Sequence, residues 1–597
     1  MNNVAIRKEY IRRSTFYRKQ LAISNKKSRG LSSLRLIVFL SAAVALLYGI
    51  YAPWKSIFPL VPILLGVFIY LVLQHAQVHV EIAHLKKMVT INDVAVMRVD
   101  GAWTTFADDG AEYIDHSHPY TTDLHIFGKG SLFQFISVPL SFGGQQRLVE
   151  LLRTQPIFKE IAPRQQAVTE LASRLGFRQH MQAAASDSFF RSKNPTGVLS
   201  WLEKQRQFTT LPQALLYVPV VTITLFVIAS LGYITYAIPL ISLAIQALLA
   251  LWGERLVSQR FAGIDKPLSL LKRYAHVLTL IEEQEFTSAI LATQKKRLFA
   301  GIVPASRLIQ RLVRIVERND IRYSNTIIYY PLNVSIFWDL WTLHKLDAWQ
   351  NSWGRDVRAW FEAVAEIEAL CCLSGLCYDN PTWVFPQIRN EAPMICAKDV
   401  AHPLIPIAER IGNDLSMPQQ GRVLMITGSN MSGKSTMLRT VGINLVLAYV
   451  GVPVCAREMS CSPMSIYCKM QILDNLNERI STFYAELKRM KMIIDAAKSE
   501  EPQLFLLDEI FRGTNSRDRI IATRTVIRQL HALNTIGLVS THDLELGSLA
   551  DEFPGTIVNF HFTDEIKDGH ITFDYKIKPG ISKTANAVAL MKMIGID

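Results

Sequence analysis

The pattern of hydrophobic and polar positions shows two long uncharged regions in the first half of the chain. Between Arg35 and Lys55 there are 19 residues without a formal charge, and 25 more separate Lys55 from Glu81. Each stretch approaches the roughly 20 residues that a helix needs to cross the hydrocarbon core of a bilayer. The Pro-Trp-Lys-Ser sequence between them favours a tight turn. We therefore predict a transmembrane helical hairpin over residues 36–80.

A second uncharged run covers residues 207–253, which is 47 residues long. Gly232 and Pro239 interrupt it near the middle, where a turn is expected. The length suffices for two crossings, so we predict a second transmembrane hairpin here. Buried core helices of a soluble protein are the alternative interpretation of both regions.

Charge gives the hairpins an orientation. Residues 1–35 carry ten Lys and Arg residues against the single acid Glu9, and we interpret this segment as a basic cytoplasmic tail. Each hairpin returns the chain to the same side, so the large segments are predicted to be cytoplasmic, at the inner or plasma membrane of a bacterium. The whole chain has a net charge of +13, which favours polyanionic partners, either nucleic acid or anionic lipid.

The seven cysteines contain no CxxC pair and no spacing typical of a zinc site. We interpret them as reduced thiols in the core of a cytosolic protein.

The sequence GSNMSGKS, residues 428–435, has the spacing of a phosphate-binding loop. The apolar run GRVLMIT precedes it and a helical pattern follows it, which is the strand–loop–helix context that the chemistry needs. Backbone amides of the loop and the helix N-terminus would hold phosphates, Lys434 would reach the terminal phosphates, and Ser435 would bind Mg²⁺. The predicted nucleotide-binding residues are Gly428, Ser429, Asn430, Met431, Ser432, Gly433, Lys434, Ser435 and Thr436.

Two further apolar runs end in chemically active side chains. QLFLLDE predicts a buried strand that ends in Asp508, suited to Mg²⁺, and Glu509, suited to positioning the attacking water. TIGLVSTHD predicts a third strand ending in His542, placed to sense the γ-phosphate. Together with Lys434, these residues predict an ATPase with Glu509, Lys434 and His542 in catalytic roles.

The motifs TGSNMSGKST, DEIFRGTNSRD and STHDLEL resemble the MutS family, the ABC-type ATPases of mismatch repair. Ser481 and Thr482 match the family's Ser-Thr-Phe segment, and Asp474 matches an acidic residue upstream of it. AHPLIP at 401–406 resembles the entry to the family's ATPase domain. Ser429 and Ser432 depart from the Pro and Gly usual in mismatch-repair members, and no Phe-x-Glu resembling the mismatch-reading domain is found.

The resemblance implies an α/β ABC-type P-loop ATPase domain over residues 401–597, binding ATP with Mg²⁺. It also implies a homodimer in which the Ser481–Thr482 segment completes the partner's nucleotide site. Residues 81–400 would form a mainly α-helical lever region, interrupted by the hairpin at 207–253. The segments 127–152 and 164–172 resemble the start of that lever, and would otherwise be amphipathic helices of any helical core. The second hairpin would then take the place of the family's DNA clamp.

Two features between residues 295 and 361 bear on a DNA surface. Arg307, Arg311, Arg314 and Arg318 share one helix face, which suits phosphates of DNA or lipid, or is simply solvated. The five tryptophans of residues 334–361 indicate a packed helical core in preference to a base-stacking platform.

Two interpretations therefore remain open of the process that ATP hydrolysis drives. One is ATP hydrolysis coupled to binding of mismatched or branched DNA, as the resemblance implies. The other is a membrane-tethered mechanical ATPase that acts on a protein or lipid partner without DNA. A transporter is a weaker third interpretation, because few polar residues lie within the uncharged stretches.

Overall fold

The computed structural model describes residues 3–51, 59–204, 216–261, 267–324, 326–418, 422–429, 432–470, 482–499, 501–512, 514–567 and 570–582. The chain divides into two compact units. The first contains Met1–Val138, Val149–Gln179 and Cys371–Asp597, and the second contains Pro139–Leu148 and His180–Leu370.

The first unit begins with two long helices, α1 (Asn3–Tyr51) and α2 (Leu60–Val99), which pack along each other as an antiparallel pair. Arg7 Nε donates to Asp100 at 2.7 Å, and Ser24 Oγ donates to Glu81 at 3.0 Å, so polar contacts fix the pairing. The segment predicted as a basic tail is therefore helical from residue 3. Both helices extend beyond the predicted hairpin limits of 36 and 80, and residues 81–99 continue α2.

The other helices that lie wholly or partly in the first unit are α3 (Leu132–Ile136), α4 (Phe142–Arg153), α5 (Phe158–Ala172), α6 (Leu175–Ala185), α16 (Val357–Asp379), α17 (Lys434–Val450), α18 (Thr482–Ala497), α19 (Ser516–His531) and α20 (Leu549–Glu552). Its strands are β3 (Gln387–Ile388), β4 (Ile395–Val400), β5 (Asn413–Met417), β6 (Val423–Thr427), β7 (Glu458–Cys461), β8 (Ser465–Lys469), β9 (Gln503–Asp508), β10 (Thr535–Thr541), β11 (Ile557–Lys567) and β12 (His570–Pro579). The segment 164–172 lies within α5, while 127–152 is helical only at 132–136 and 142–152, and the lever role of both segments stays a prediction.

A six-stranded sheet with the order β12-β11-β6-β10-β9-β8 organises the C-terminal region. The parallel strands of this sheet are β6, β8, β9, β10 and β11. Strand β12 pairs antiparallel with β11 at one edge. The described residues of β6, β9 and β10 are all buried, as expected for strands covered on both faces. Because the carboxyl ends of parallel strands meet at one edge, the sheet brings Thr427, Asp508 and Thr541 side by side. A second sheet has the order β3-β7-β4-β5. The C-terminal region is thus α/β, as predicted.

The second unit is mainly helical, also as predicted. Beyond its share of α4, α6 and α16, it contains α7 (Ser188–Ser192), α8 (Thr196–Glu203), α9 (Val218–Ser230), α10 (Ala237–Phe261), α11 (Pro267–Glu282), α12 (Ala289–Arg297), α13 (Ala305–Ser324), α14 (Thr326–Ile336) and α15 (Trp338–Trp353). A short ribbon pairs β1 (Phe299–Ala300) with β2 (Val303–Pro304).

Three described helices are long and apolar enough to cross a membrane: Asn3–Ile50, Leu60–Val99 and Ala237–Phe261. Helix α9 is apolar but has only 13 residues, which fall short of a full crossing. Part of the first arm predicted for the second hairpin, residues 207–215, lies outside the described residues. Gly232, with a φ of 82°, lies in the turn between α9 and α10, near the break that the sequence predicts.

The arginine row and the tryptophans lie where the sequence predicts them. Arg307, Arg311 and Arg314 are exposed on α13, while Leu308 and Leu312 of the same helix are buried. Trp349 and Trp360 are 5% and 1% exposed, and the other three tryptophans are half-buried. Tryptophan side chains therefore serve the helical core of this unit, as predicted.

Candidate nucleotide site

The glycine-rich loop joins the end of β6 to the first turn of α17. Gly428 has a φ of 149° and Gly433 a φ of 107°, values that side chains other than glycine rarely adopt. A Cβ atom on Gly428 would lie 2.9 Å from Ser432 Oγ, so the loop needs glycine there for space as well. Ser432 is buried and donates to the carbonyl of Ser429 at 2.8 Å. Asn430 and Met431, predicted members of the loop, lie outside the described residues.

Lys434 is the first residue of α17 and is 4% exposed. Its Nζ donates to the carbonyl of Gly428 at 2.9 Å and to that of Ser429 at 2.7 Å, so the ammonium lies inside the loop. Burial lowers the pKa of Lys434, and the nearby carboxylates of Glu509 and Asp508 partly oppose this. A cation held in this position can contact phosphate oxygens that approach the loop amides.

Asp508 ends β9 and Glu509 follows it, at the same edge of the sheet. Asp508 is 5% exposed and accepts a hydrogen bond from the hydroxyl of Ser540 on β10. Glu509 has a φ of 44°, a strained conformation for a residue with a side chain, and its amide donates to the carbonyl of Ser540 at 3.1 Å. The strain turns the Glu509 carboxylate away from the strand direction and towards the loop.

Three nitrogen-bearing side chains surround the Glu509 carboxylate. His542, which follows β10, forms a hydrogen bond with it, Arg512 forms an ion pair with it, and Lys434 Nζ lies 3.9 Å from its Oε1. Burial alone would raise the pKa of Glu509, but His542, Arg512 and Lys434 outweigh it and the pKa lies below the usual value. Glu509 is therefore ionised at neutral pH, as a water-positioning group requires. The sequence did not single out Arg512, although it follows Glu509 by three residues.

Ser435 and Thr436, in the first turn of α17, line a cavity of about 890 Å³ together with Lys434 and Glu509. The opposite wall comes from residues 400–413, with aromatic side chains from β11 and β12. These lining residues include His402, Ile405, Arg410, Phe562, Phe573 and Tyr575. Their apolar and aromatic surfaces suit a flat heterocycle, so the cavity supplies candidates for base contacts that the sequence could not identify.

His402 is uncharged at neutral pH in this wall. Burial lowers its pKa to about 4, and the positive charges of Arg439 and Arg410 act in the same direction. The cavity therefore presents a neutral imidazole beside the loop.

A Mg²⁺ ion fits the donor set predicted for it. The Ser435 hydroxyl and the Asp508 carboxylate are oxygen ligands of the kind that Mg²⁺ prefers, and they come from α17 and β9, which adjoin the loop. Thr482 is the first residue of α18, while Ser481 and Asp474 lie outside the described residues. The structure thus brings Gly428, Lys434, Asp508, Glu509 and His542 to one sheet edge.

The sequence comparisons agree with this arrangement. The family model described as MutS domain V matches residues 424–597. The DNA mismatch repair protein MutS of Chloroflexus aurantiacus is 30% identical over 248 residues, covering 40% of this chain and 25% of that protein. MutS of Natronomonas pharaonis is 31% identical over 243 residues, covering 39% of this chain and 27% of that protein. The chain thus spans about a quarter of the length of these curated relatives, and its C-terminal 40% carries the match. These similarities and the order of the motifs identify a MutS domain V in the C-terminal part of the chain and support a MutS-family protein.

Proposed function

We propose that this chain is a membrane-anchored ATPase of the MutS type, which binds and hydrolyses ATP with Mg²⁺ as a homodimer. The proposal depends on one observation. Lys434 and Glu509 lie close together beside the glycine-rich loop, and both line the same cavity. The loop amides and Lys434 bind the phosphates, and the cavity wall of residues 400–413 holds the base. Glu509, ionised and held by Arg512, Lys434 and His542, accepts a hydrogen bond from the attacking water and aligns it.

Mg²⁺, bound by Ser435 and Asp508, would supply positive charge against the phosphate oxygens. Lys434 stabilises the negative charge that develops on the transferred phosphoryl group. His542 holds the Glu509 carboxylate by a hydrogen bond and senses the γ-phosphate through it. The Ser481–Thr482 segment of one chain completes the phosphate site of the other, as the family resemblance implies.

Exposed apolar side chains support the proposed membrane anchor. Large side chains on α1 and α2, such as Ile37 at 59% and Leu73 at 60% exposed, face outwards within helices long enough to span a bilayer. Helix α10 has the same character, with Leu248 at 67% exposed. Such surfaces are stable in lipid and unfavourable in water. The basic residues of α1 support a cytoplasmic position for the N-terminus and the ATPase domain.

The proposed output is binding of mismatched or branched DNA, since the relatives are named as DNA mismatch repair proteins and the net charge is +13. The second candidate is a mechanical ATPase acting on a protein or lipid partner without DNA. The extensive exposed apolar surface of α1, α2 and α10 favours it, because it commits much of the chain to a membrane.

The test measures DNA binding by the full chain in detergent or lipid nanodiscs with Mg·ATP. Fluorescently labelled duplex, mismatched and branched DNA are titrated at low and at physiological salt. Binding that weakens steeply with salt and favours one DNA structure supports the DNA output. Active ATP hydrolysis without binding to any of the three at low salt would reject it and leave the mechanical ATPase.

A further inference from the structure

Helix α14 of the second unit exposes apolar side chains although it is too short to span a bilayer. It lies within a 16-residue segment without formal charge, between Arg322 and Asp339. The exposed fractions of its large apolar side chains are high: Ile327 87%, Ile328 58%, Tyr330 47% and Ile336 46%. No charged residue interrupts this surface.

The polarity of α14 is reversed relative to a helix on a water-facing surface. Tyr329 and Asn333, 1% and 3% exposed, face the protein interior. Tyr329 Oη donates to Asp339 Oδ2 at 2.5 Å, and Asn333 Oδ1 accepts from the Asp339 amide at 3.0 Å. In water the isoleucines would be expected inside and the amide outside. Polar groups facing protein and apolar groups facing outwards are typical of a surface in contact with lipid.

Hydrogen bonds attach α14 to the apolar part of α10. Gln246 Nε2 donates to the carbonyl of Val334 at 2.5 Å, and Asn333 Nδ2 donates to that of Ala250 at 3.3 Å. Ala250 and Gln246 precede Glu254, the first charged residue of α10, by about 6 and about 12 Å along the helix axis. The exposed face of α14 therefore continues the exposed apolar surface of α10 at a shallow depth.

Positive charges lie at the polar boundary of this surface. Arg322, in the last turn of α13, donates to Glu254 Oε1 at 2.7 Å. The Arg318 guanidinium stacks on Trp338 with 5.4 Å between its central carbon and the ring centroid. Arg311 and Arg314 extend the positive charge along α13 and are exposed. Arginine and tryptophan at this position are typical of the membrane–water interface, where arginine meets anionic headgroups.

We infer that α14 is an additional lipid-binding element, a short helix lying in the headgroup–acyl boundary with Ile327, Ile328, Tyr330 and Ile336 towards the acyl chains. The residues of α10 that contact α14 lie about 6 to 12 Å from Glu254 along the helix axis. This distance overlaps the depth of about 5–10 Å at which interfacial helices lie in the membrane. The inference rests on the proposed insertion of α10, and it adds a membrane contact that the length of α14 does not predict. Its occupant is bilayer lipid with anionic headgroups.

The test introduces a photo-crosslinking amino acid at single positions of the full chain. The chain is reconstituted in vesicles of phosphatidylethanolamine and phosphatidylglycerol, and adducts are identified by mass spectrometry. The probe position is Ile327; Leu248, exposed on α10, is the reference for bilayer insertion, and Gln310, exposed on α13, is the control facing water. We expect lipid adducts at Ile327 at least about tenfold above those at Gln310, since acyl chains surround only the first.

Each other outcome contradicts the inference in a distinguishable way. Lipid adducts at Leu248 but not at Ile327 would reject the role of α14 and leave the membrane anchor intact. Absence of lipid adducts at both positions would reject the anchoring by α10 as well. Adducts of Ile327 with a second copy of the chain would show a protein interface, and equal adducts at Gln310 would show that lipid contact is not confined to the apolar face.

Discussion

The Lys434 ammonium lies 3.9 Å from Oε1 of Glu509, although the two residues come from different motifs, 75 positions apart. Lys434 begins α17, the helix after the glycine-rich loop. Glu509 follows β9, which pairs with β10 in the same sheet. Both charged side chains are largely buried, with exposed fractions of 4% and 15%. A phosphate bound at the loop would lie next to both, attracted by the cation and approached by a water that the carboxylate aligns.

Removing the Lys434 ammonium should abolish nucleotide turnover. For Lys434→Ala we expect ATP hydrolysis to fall by about 100-fold or more, the size of effect typical of losing one charge-stabilising donor. Phosphate release and binding of a fluorescent ATP analogue measure the loss. The control is Lys491→Ala, a side chain that is 76% exposed on α18 and pairs with Asp495. Equal activity of Lys434→Ala and the control would contradict the assignment of the loop.

Glu509→Gln should separate binding from hydrolysis. The amide keeps the shape of the side chain but accepts a proton poorly, so hydrolysis should fall by about 100-fold or more while ATP still binds. The unhydrolysed nucleotide should then trap the closed dimer, which light scattering with Mg·ATP detects. The matched control is Glu545→Gln, exposed on the surface of the same unit. Hydrolysis by Glu509→Gln at the normal rate would show that another group aligns the water.

His542→Ala should shift the acidic limb of the activity profile to higher pH. Against the effect of burial, His542 contributes to the lowering of the Glu509 pKa. Without it the Glu509 pKa rises, so the carboxylate takes up its proton at a higher pH and the rate falls sooner on acidification. The rate measured from the lowest pH at which the chain stays folded up to pH 8 is the measurement, and His344→Ala, exposed in the second unit, is the control. An unchanged profile would mean that Arg512 and Lys434 alone keep Glu509 ionised.

Glu368→Gln should stabilise the chain at high pH only. Glu368 is buried, and burial raises its pKa to about 7, while hydrogen bonds from the Ser141 hydroxyl and amide oppose the shift. Because the folded-state pKa lies above the unfolded value of 4.5, the folded chain holds the proton more tightly. Its stabilising contribution is complete below the unfolded pKa and is lost as the pH rises towards 7, at a cost of about 3 kcal/mol.

Thermal unfolding of the full chain at pH 5 and pH 8 measures this effect. Wild type and Glu368→Gln should unfold at similar temperatures at pH 5, where the acid is largely protonated, and the variant should be the more stable at pH 8. Glu283→Gln, an exposed acid of the same unit, should show no such difference. A destabilised Glu368→Gln at pH 8 would show that the buried carboxylate is stabilised in its ionised form.

The strands and helix of the candidate site could be predicted because their sequences are unambiguous. The apolar runs before Gly428, Asp508 and His542 are buried strands in the structure, and the pattern after Gly433 is helix α17. What the sequence could not give is the proximity of segments distant in the chain. The wall of the cavity from residues 400–413 and the aromatic side chains of β11 and β12 come together only through folding.

Two helical features escaped the sequence patterns for physical reasons. The first 35 residues are rich in charge, yet they form helix, in which Ile6 and Tyr10 are buried against Ala95 of α2. Arg7 bonds to Asp100, which follows α2, and Ser24 bonds to Glu81 of α2. Helix α14 is apolar but has only 11 residues and contains Pro331, so its length does not mark it as a membrane-spanning element. The inference that it contacts lipid depends on which of its side chains the structure exposes.

Helix α2 continues without a break from its exposed apolar part into the packed interior of the first unit, where Met88 and Ala95 are buried. Its 40 residues correspond to a rod of about 60 Å. Because α2 has no flexible joint, any tilt of the ATPase region during the nucleotide cycle would be transmitted along the helix to the bilayer in which we propose that it is anchored. In such an arrangement the thickness and stiffness of the membrane become a mechanical load on ATP turnover.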